Sequence, residues 1–185
     1  MVGFERAGER GPVVVELAAL DSAEFERIYY RNWPDVFRYA WLVTRNRHDA
    51  EDVASDAFRR ALEAWNRGDR PRGAVLPWLL VITRRIAIDR RRRSRVLTWL
   101  PLEPVSELTD SREDAEFGRS ETWIWFEQLA RVLPDRQREA LILRFGFDLA
   151  DAEASRVLGT SPGNVRTLVS RGLATLRARP EVAER

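Results

Sequence analysis

Seven arginines fall between Trp78 and Arg95 (Arg84, Arg85, Arg90, Arg91, Arg92, Arg93 and Arg95) against a single acid, Asp89, a local net charge of +6. The stretch from Pro77 to Arg95 opens with Trp78, Leu79, Val81, Ile82, Ile86 and Ile88, apolar enough to be buried. A helix anchored in a core at one end and densely positive at the other suits a polyanion. Guanidinium groups neutralise phosphates and can stack on unpaired bases. Arg67, Arg70 and Arg72 carry the same basic surface into the preceding loop. The competing reading is a solvated charge run that only terminates a helix.

A second basic stretch, Ser161 to Arg179, holds four arginines and no acid. The segment has helix-turn-helix form: a short helix from Ala150 to Leu158, a Gly159-Thr160 turn, and a longer helix from Pro162 to about Arg177. Ser161 is placed to cap that helix and Pro162 to begin it. Val165, Leu168, Val169, Gly172, Leu173 and Leu176 make an inward stripe, whereas Asn164, Arg166, Thr167, Ser170 and Arg171 point outward near the N-terminal half. In the major groove, Arg and Asn at such positions can make bidentate contacts to base edges. An ordinary helical hairpin with a solvated arginine face is the alternative.

Asp49, Asp52 and Asp56 recur at i, i+3 and i+7 on one side of a helix, with Glu51 beside them. As a metal site this is weak, because the one histidine, His48, falls in a turn and no second carboxylate cluster pairs with it. Acids at a helix start also favour the dipole, and a protein-docking face is the third reading. No nucleophile with its base and no Gly-rich phosphate loop is present. No metal and no cofactor are expected.

The elements that must position these residues are all helical. Asp21-Ser22-Ala23-Glu24 reads as a capping box that opens a first helix with Phe25, Ile28 and Tyr29. Asn32-Trp33-Pro34 interrupts it, and a second helix from Pro34 carries Val36, Phe37, Ala40, Trp41 and Val43. From Asp49 to about Asn66, Ala50, Val53, Ala54, Ala57, Phe58, Ala61, Leu62 and Trp65 follow the three-and-four step of a buried face. Trp65 continues that stripe and is read as core. The loop from Asn66 to Leu76 leads to the Pro77 helix. From Glu103 to Glu121 seven acids face two arginines, a net of −5, with Pro101 and Pro104 nearby. Beyond it a helix is expected from Phe117 to Val132, another from Arg136 to Phe145 until Gly146 stops it, and then the helix pair.

The fold class is therefore all-α. Two small helical domains are joined by an acidic flexible linker, the second being a helix-turn-helix: 1–20 lead-in, 21–98 first domain, 99–116 linker, 117–185 second domain. At 185 residues the chain has room for both. Its 32% charged residues are segregated by sign, so the formal net charge of +2 conceals the pattern. Cysteine is absent, which excludes disulfides and thiolate metal sites, and every basic residue apart from His48 is arginine. No apolar run approaches the roughly 18 residues of a membrane span, and the N-terminus lacks a signal-peptide core, so a cytoplasmic location is expected.

Taken together these segments resemble bacterial sigma factors of the extracytoplasmic-function (ECF) group in their two-domain form, from about Phe25 to Arg177. Asp49-Ala50-Glu51-Asp52-Val53-Ala54-Ser55-Asp56-Ala57-Phe58 is similar to the core-binding helix of sigma region two. Trp78-Leu79-Leu80 with Ile86-Ala87-Ile88-Asp89 and the arginine run resembles the promoter-melting end of that region. Leu133-Pro134-Asp135-Arg136-Gln137-Arg138-Glu139, Val157-Leu158-Gly159 and Val165-Arg166 resemble region four.

The resemblance implies a dissociable specificity subunit of RNA polymerase that is not itself an enzyme. Asp49, Glu51, Asp52, Asp56 and Arg59 would dock on the clamp of the largest polymerase subunit, and the C-terminal domain on the flap. Arg67, Arg70, Arg72, Arg84, Arg85, Arg91 and Arg92 would recognise and melt the minus-ten element, with a non-template base extruded into a pocket. Ser161, Asn164, Arg166, Thr167, Ser170 and Arg171 would read the minus-thirty-five element. The partners implied are core polymerase, duplex and melted promoter DNA, and an anti-sigma factor. Departures from the family pattern are Arg85, where relatives commonly have asparagine, Ala150, where Ser or Thr usually caps, and Leu168 and Leu173, where arginine is frequent. A stand-alone helix-turn-helix repressor is the rival reading, and a nuclease built on Asp52 the remote one.

Overall fold

The computed structural model describes residues 12–97 and 132–178, and every regular element among them is helical. In chain order these are α1, Pro12–Thr44; α2, Arg47–Asn66; α3, Val75–Leu97; α4, Asp135–Leu141, which runs into a π-helical turn at Ile142–Gly146; α5, Asp151–Leu158; and α6, Pro162–Arg177. The acidic linker expected at 99–116 lies outside the described residues, as does the helix expected from Phe117 apart from Val132.

Helix α1 differs from its expected layout. Instead of a lead-in and two helices, one helix runs from Pro12 through the Asp21 capping sequence and through Pro34. An interior proline costs about 3 kcal/mol, because its ring crowds the carbonyl four residues back and its missing N–H leaves that carbonyl unpaired. Here that residue is Tyr30, which is 69% exposed, so water can serve the carbonyl. Packing on both sides of Pro34 offsets the rest. Before it, Phe25 meets Trp65 edge-on at 5.9 Å, and Tyr29 and Trp33 lie 4.8 and 5.8 Å from Phe58. After it, Val36, Tyr39 and Ala40 are wholly buried.

Helix α2 is the central partner. Asn46 caps it by accepting from the Asp49 backbone N–H at 2.9 Å, after Arg45 has turned the chain in the left-handed region at φ 57°. Its expected stripe is buried from Ala50 to Trp65 with one exchange: Leu62 is 39% exposed and Ala64 is buried instead. The alanines at positions 50, 54, 57 and 61 let α1 and α3 approach closely, so the buried face is narrow and Leu62 falls at its edge. Pro77 sits in the first turn of α3, where it is tolerated. Leu79, Leu80, Ile86 and Ala87 complete this three-helix core, and the buried Thr83 hydroxyl donates back to the Leu79 carbonyl at 2.8 Å.

The C-terminal module is built around Ala140–Leu143, Leu149, Val157, Leu158 and Val165. The π-helical turn bonds Phe147 N–H to the Ile142 carbonyl, and Arg144 fastens it to α5 by donating to the Leu149 carbonyl and pairing with Asp151 at 2.8 Å. Gly159 ends α5 at φ 62°, a conformation in which a β-carbon is strained. Ala150 caps α5 without a side-chain acceptor; only the reciprocal bond survives, from Ala150 N–H to Glu153 Oε2 at 2.9 Å. Gly172 lies where α6 crosses α4, and a β-carbon there would fall 2.7 Å from Leu141 Cδ1.

Two stability predictions follow from these sites. Ala150→Ser restores the absent cap and is expected to raise the unfolding free energy by about 1 kcal/mol. Gly172→Ala forces the buried Leu141 to move and is expected to lower it by about 1–3 kcal/mol. Urea midpoints for the full chain, read by helical circular dichroism, check both.

Candidate nucleic-acid interface

The outward face of α6 is as the residue pattern requires. Ser161 Oγ accepts from the Asn164 backbone N–H at 3.2 Å, so the cap and the first turn are fixed together. Ser161, Asn164, Arg166, Thr167, Ser170 and Arg171 are all exposed, while Val165 and Gly172 are buried and Leu168, Val169, Leu173 and Leu176 pack against the core. Leu168 and Leu173 therefore belong to the packing face. Three of the exposed side chains are already oriented. Asn164 Nδ2 donates to Thr160 Oγ1 at 2.8 Å, Thr167 donates to the Gly163 carbonyl at 3.1 Å, and Arg166 lies 3.4 Å from Asp151. Arg171 has no such partner among the described residues.

The basic surface of α3 departs from an uninterrupted positive field, because three of its arginines turn onto carboxylates. Arg84 Nε lies 2.6 Å from Glu139 Oε1, with side chains only 14% and 10% exposed. Arg90 bridges Asp49 at 3.0 Å and Asp52 at 2.7 Å. Arg91 lies 3.3 Å from Asp135. Arg85, Arg92 and Arg93 remain exposed, with no ion pair to another described residue. In the loop, Arg67 and Arg72 are exposed, while Arg70 lies over the Trp65 ring at 4.5 Å and faces Glu24 at 3.8 Å. Trp65 itself is core, 5% exposed. From the start of α3 to Arg91 is about 24 Å of helix at 1.5 Å per residue. The loop arginines and the terminal arginines are thus two patches and not one.

The acids of α2 are likewise occupied. Besides the Arg90 bridge, Glu51 pairs with Arg47 at 3.1 Å, and Arg59 holds Asp56 at 3.1 Å and Glu63 at 2.7 Å. These pairs are half-exposed and rearrange at little cost. Of these pairs, the Arg90 bridge joins the acidic face of α2 to the basic helix.

Tyr39 and Arg45 are not singled out by the sequence, and Arg90, Asp135 and Glu139 have pairing roles that their place in the sequence does not show. Tyr39 is fully buried and donates to Glu139 Oε1 at 2.5 Å, with its ring 6.0 Å from Phe147. Burial, and then the Glu139 carboxylate, push its phenol well above the ordinary value, so it remains the donor. Burial opposes ionising Asp135, but Arg138, Arg91 and Arg45 outweigh it and hold the carboxyl below its ordinary value.

Comparison with known proteins places these features. The description "Sigma-70 region 2" matches residues 28–96, and "Sigma-70, region 4" matches residues 124–176. The ECF RNA polymerase sigma factor SigM of Mycobacterium tuberculosis is 31% identical over 182 residues, covering 95% of this chain and 87% of SigM. This chain belongs to the ECF sigma factor family. BldN of Streptomyces coelicolor, an ECF sigma factor 31% identical over 170 residues, is matched over 88% of this chain and 63% of its own length. SigJ of M. tuberculosis, 32% identical over 176 residues, is matched over 87% of this chain and 51% of its own. The chain thus spans between half and two thirds of those two relatives. In fold it is similar to the sigma factor RpoE of Bartonella quintana, solved with the anti-sigma factor NepR (TM-score 0.62, 22% identity, 87% of this chain and 97% of that one). It is also similar to CnrH, solved with the cytosolic domain of CnrY (TM-score 0.59, 24% identity, 91% and 97%). The two family regions fall on α1–α3 and on α4–α6, the helical modules described above. No helix among the described residues is long and apolar enough to cross a membrane.

The Asp135 charge stabilises the fold fully above the ordinary aspartate value and is lost as pH falls through the lower folded value. Thermal melting temperature is therefore expected to fall between about pH 5 and pH 3, the range around the ordinary aspartate value. Asp135→Asn should flatten that part of the profile.

Proposed function

We propose that this chain is a cytoplasmic, non-catalytic sigma subunit that binds core RNA polymerase and directs it to promoters. The observation that carries the reading is the pair of sigma-70 region matches, in order on one chain, each coinciding with a helical module of the appropriate charge. The units are 21–98 and 117–185, joined by the acidic segment 99–116. Asp49, Glu51, Asp52, Asp56 and Arg59 form the face offered to the polymerase clamp, and the C-terminal module engages the flap. Arg67, Arg70, Arg72, Arg84, Arg85, Arg91 and Arg92 serve minus-ten recognition and melting. Ser161, Asn164, Arg166, Thr167, Ser170 and Arg171 serve minus-thirty-five readout. Supporting this division, the last six residues are exposed at the start and on the outward face of the second helix of a helix-turn-helix, whose first turn is capped by Ser161. An anti-sigma factor is part of the same proposal, as the partner that would compete for these surfaces.

Core polymerase supplemented with the chain is expected to initiate at promoters that core alone ignores, scored by run-off transcription; no initiation from any genomic promoter pool overturns the assignment. Asp52→Ala with Asp56→Ala should weaken capture of core polymerase at least several-fold with helical content unchanged. Arg171→Ala should weaken upstream-element binding by about 1–3 kcal/mol if it reads a base. A uniform loss across sequences would mark it as a phosphate contact instead.

A further inference from the structure

Residues of α1, α3 and α4 line a cleft of about 460 Å³, within the size range of small-molecule sites. Its charges do not balance: five arginines meet two carboxylates, Asp135 and Glu139. Both acids are already fully taken up. Asp135 receives Arg45 at 2.8 Å, Arg138 at 2.9 Å and Arg91 at 3.3 Å, while Glu139 receives Arg84 and the Tyr39 hydroxyl. The surplus is felt within the group. Burial, and then the neighbouring Arg45 guanidinium, hold Arg138 below the ordinary arginine value. Arg92 and Arg136 line the same cleft, are exposed, and have no ion pair to another described residue. Arg136 is nonetheless held in place, since its Nη1 donates to the Leu158 carbonyl at 2.9 Å.

The remaining wall is of another kind. Leu42 and Val43 from α1 and Ile88 from α3 present aliphatic surface to the same space. On α3, Arg84, Ile88 and Arg92 stand four residues apart and share one helical face, so apolar and basic lining alternate there. A concave site that is positive on one side and aliphatic on the other matches a ligand with an anionic end and a flat, poorly hydrated end.

We propose that this cleft binds a nucleoside polyphosphate, its phosphates on Arg92 and Arg136 and its base against Leu42, Val43 and Ile88. The guanidinium fork fits phosphate oxygens, and phosphate supplies the acceptors that the two occupied carboxylates cannot. The face of the base loses contact with water against the aliphatic wall. The site stands on the cleft and its lining, and binding there is independent of the sigma reading, although Arg91 and Arg92 are shared with the promoter surface proposed above.

Titration calorimetry of the full chain with ATP, in magnesium-free buffer, tests the site. One ATP per chain is expected. Tripolyphosphate should bind about tenfold more weakly, for want of a base to bury, and AMP should also be weaker, having one phosphate for two arginines. Arg92→Ala and Arg136→Ala should each weaken ATP about tenfold, the ordinary size of one charge-assisted hydrogen bond. Arg27→Ala removes the same charge from an exposed position on α1, roughly 22 Å of helix from Leu42, and should leave the affinity within about twofold. Helical circular dichroism is recorded for each variant. Should Arg136→Ala lose helicity, Arg92→Ala carries the comparison alone. No binding up to millimolar ATP, or several ATP per chain, overturns the site. An equal loss from Arg27→Ala reduces it to general attraction and overturns it as well. Tripolyphosphate binding as tightly as ATP overturns the nucleoside assignment.

Discussion

A carboxylate that is nine-tenths removed from water must be met by positive charge and hydrogen-bond donors, or it will take a proton or expel itself. Glu139 is in that position, and much of the arrangement follows from its needs. It draws the Arg84 guanidinium out of the row of exposed arginines on α3 and fixes the Tyr39 hydroxyl, so that α1, α3 and α4 meet at one point. Packing then closes around the contact, with Phe147 against the Tyr39 ring and α5 against α3. A buried pair of this kind adds little net stability over a well-packed apolar pair, but removing one member leaves a stranded charge at a cost of several kcal/mol. It therefore specifies one mutual arrangement of the two modules more than it strengthens either.

Much of the fold was legible because its signals were local. The Ala-Val-Phe stripe of α2, the Ser161-Pro162 start of α6, the Gly159 turn and the exposed face of α6 all follow from helical period and capping chemistry. The failures have physical reasons. Pro34 should end a helix on local grounds, and does not, because aromatic packing on distant Phe58 and Trp65 holds the residues before it and burial of Val36, Tyr39 and Ala40 holds those after it. Leu62 fits the buried stripe by spacing, yet the narrow alanine face leaves it at the edge. Ala150 was expected to lack a side-chain cap, and does.

The candidate site was half legible for the same reason. Runs of like charge announce themselves in a sequence; their partners do not. Arg84, Arg85, Arg91 and Arg92 are neighbours along the chain, and nothing in their spacing separates Arg84 and Arg91, which meet carboxylates of α4, from Arg85 and Arg92. The distinguishing residues are Glu139 and Asp135, 55 and 44 positions away. The available hint was Arg138-Glu139 directly before the fully apolar Ala140–Leu143, a place where charges are buried only with partners.

Arg90 carries a consequence for how variants of this chain will sort. Its guanidinium spans Asp49 and Asp52, so the acidic face of α2 and the basic end of α3 share one side chain. On the proposed assignment these faces serve different macromolecules, and a change at this residue perturbs both at once. Alleles there will be pleiotropic, resembling promoter defects in one assay and subunit-capture defects in another, with neither label describing the lesion.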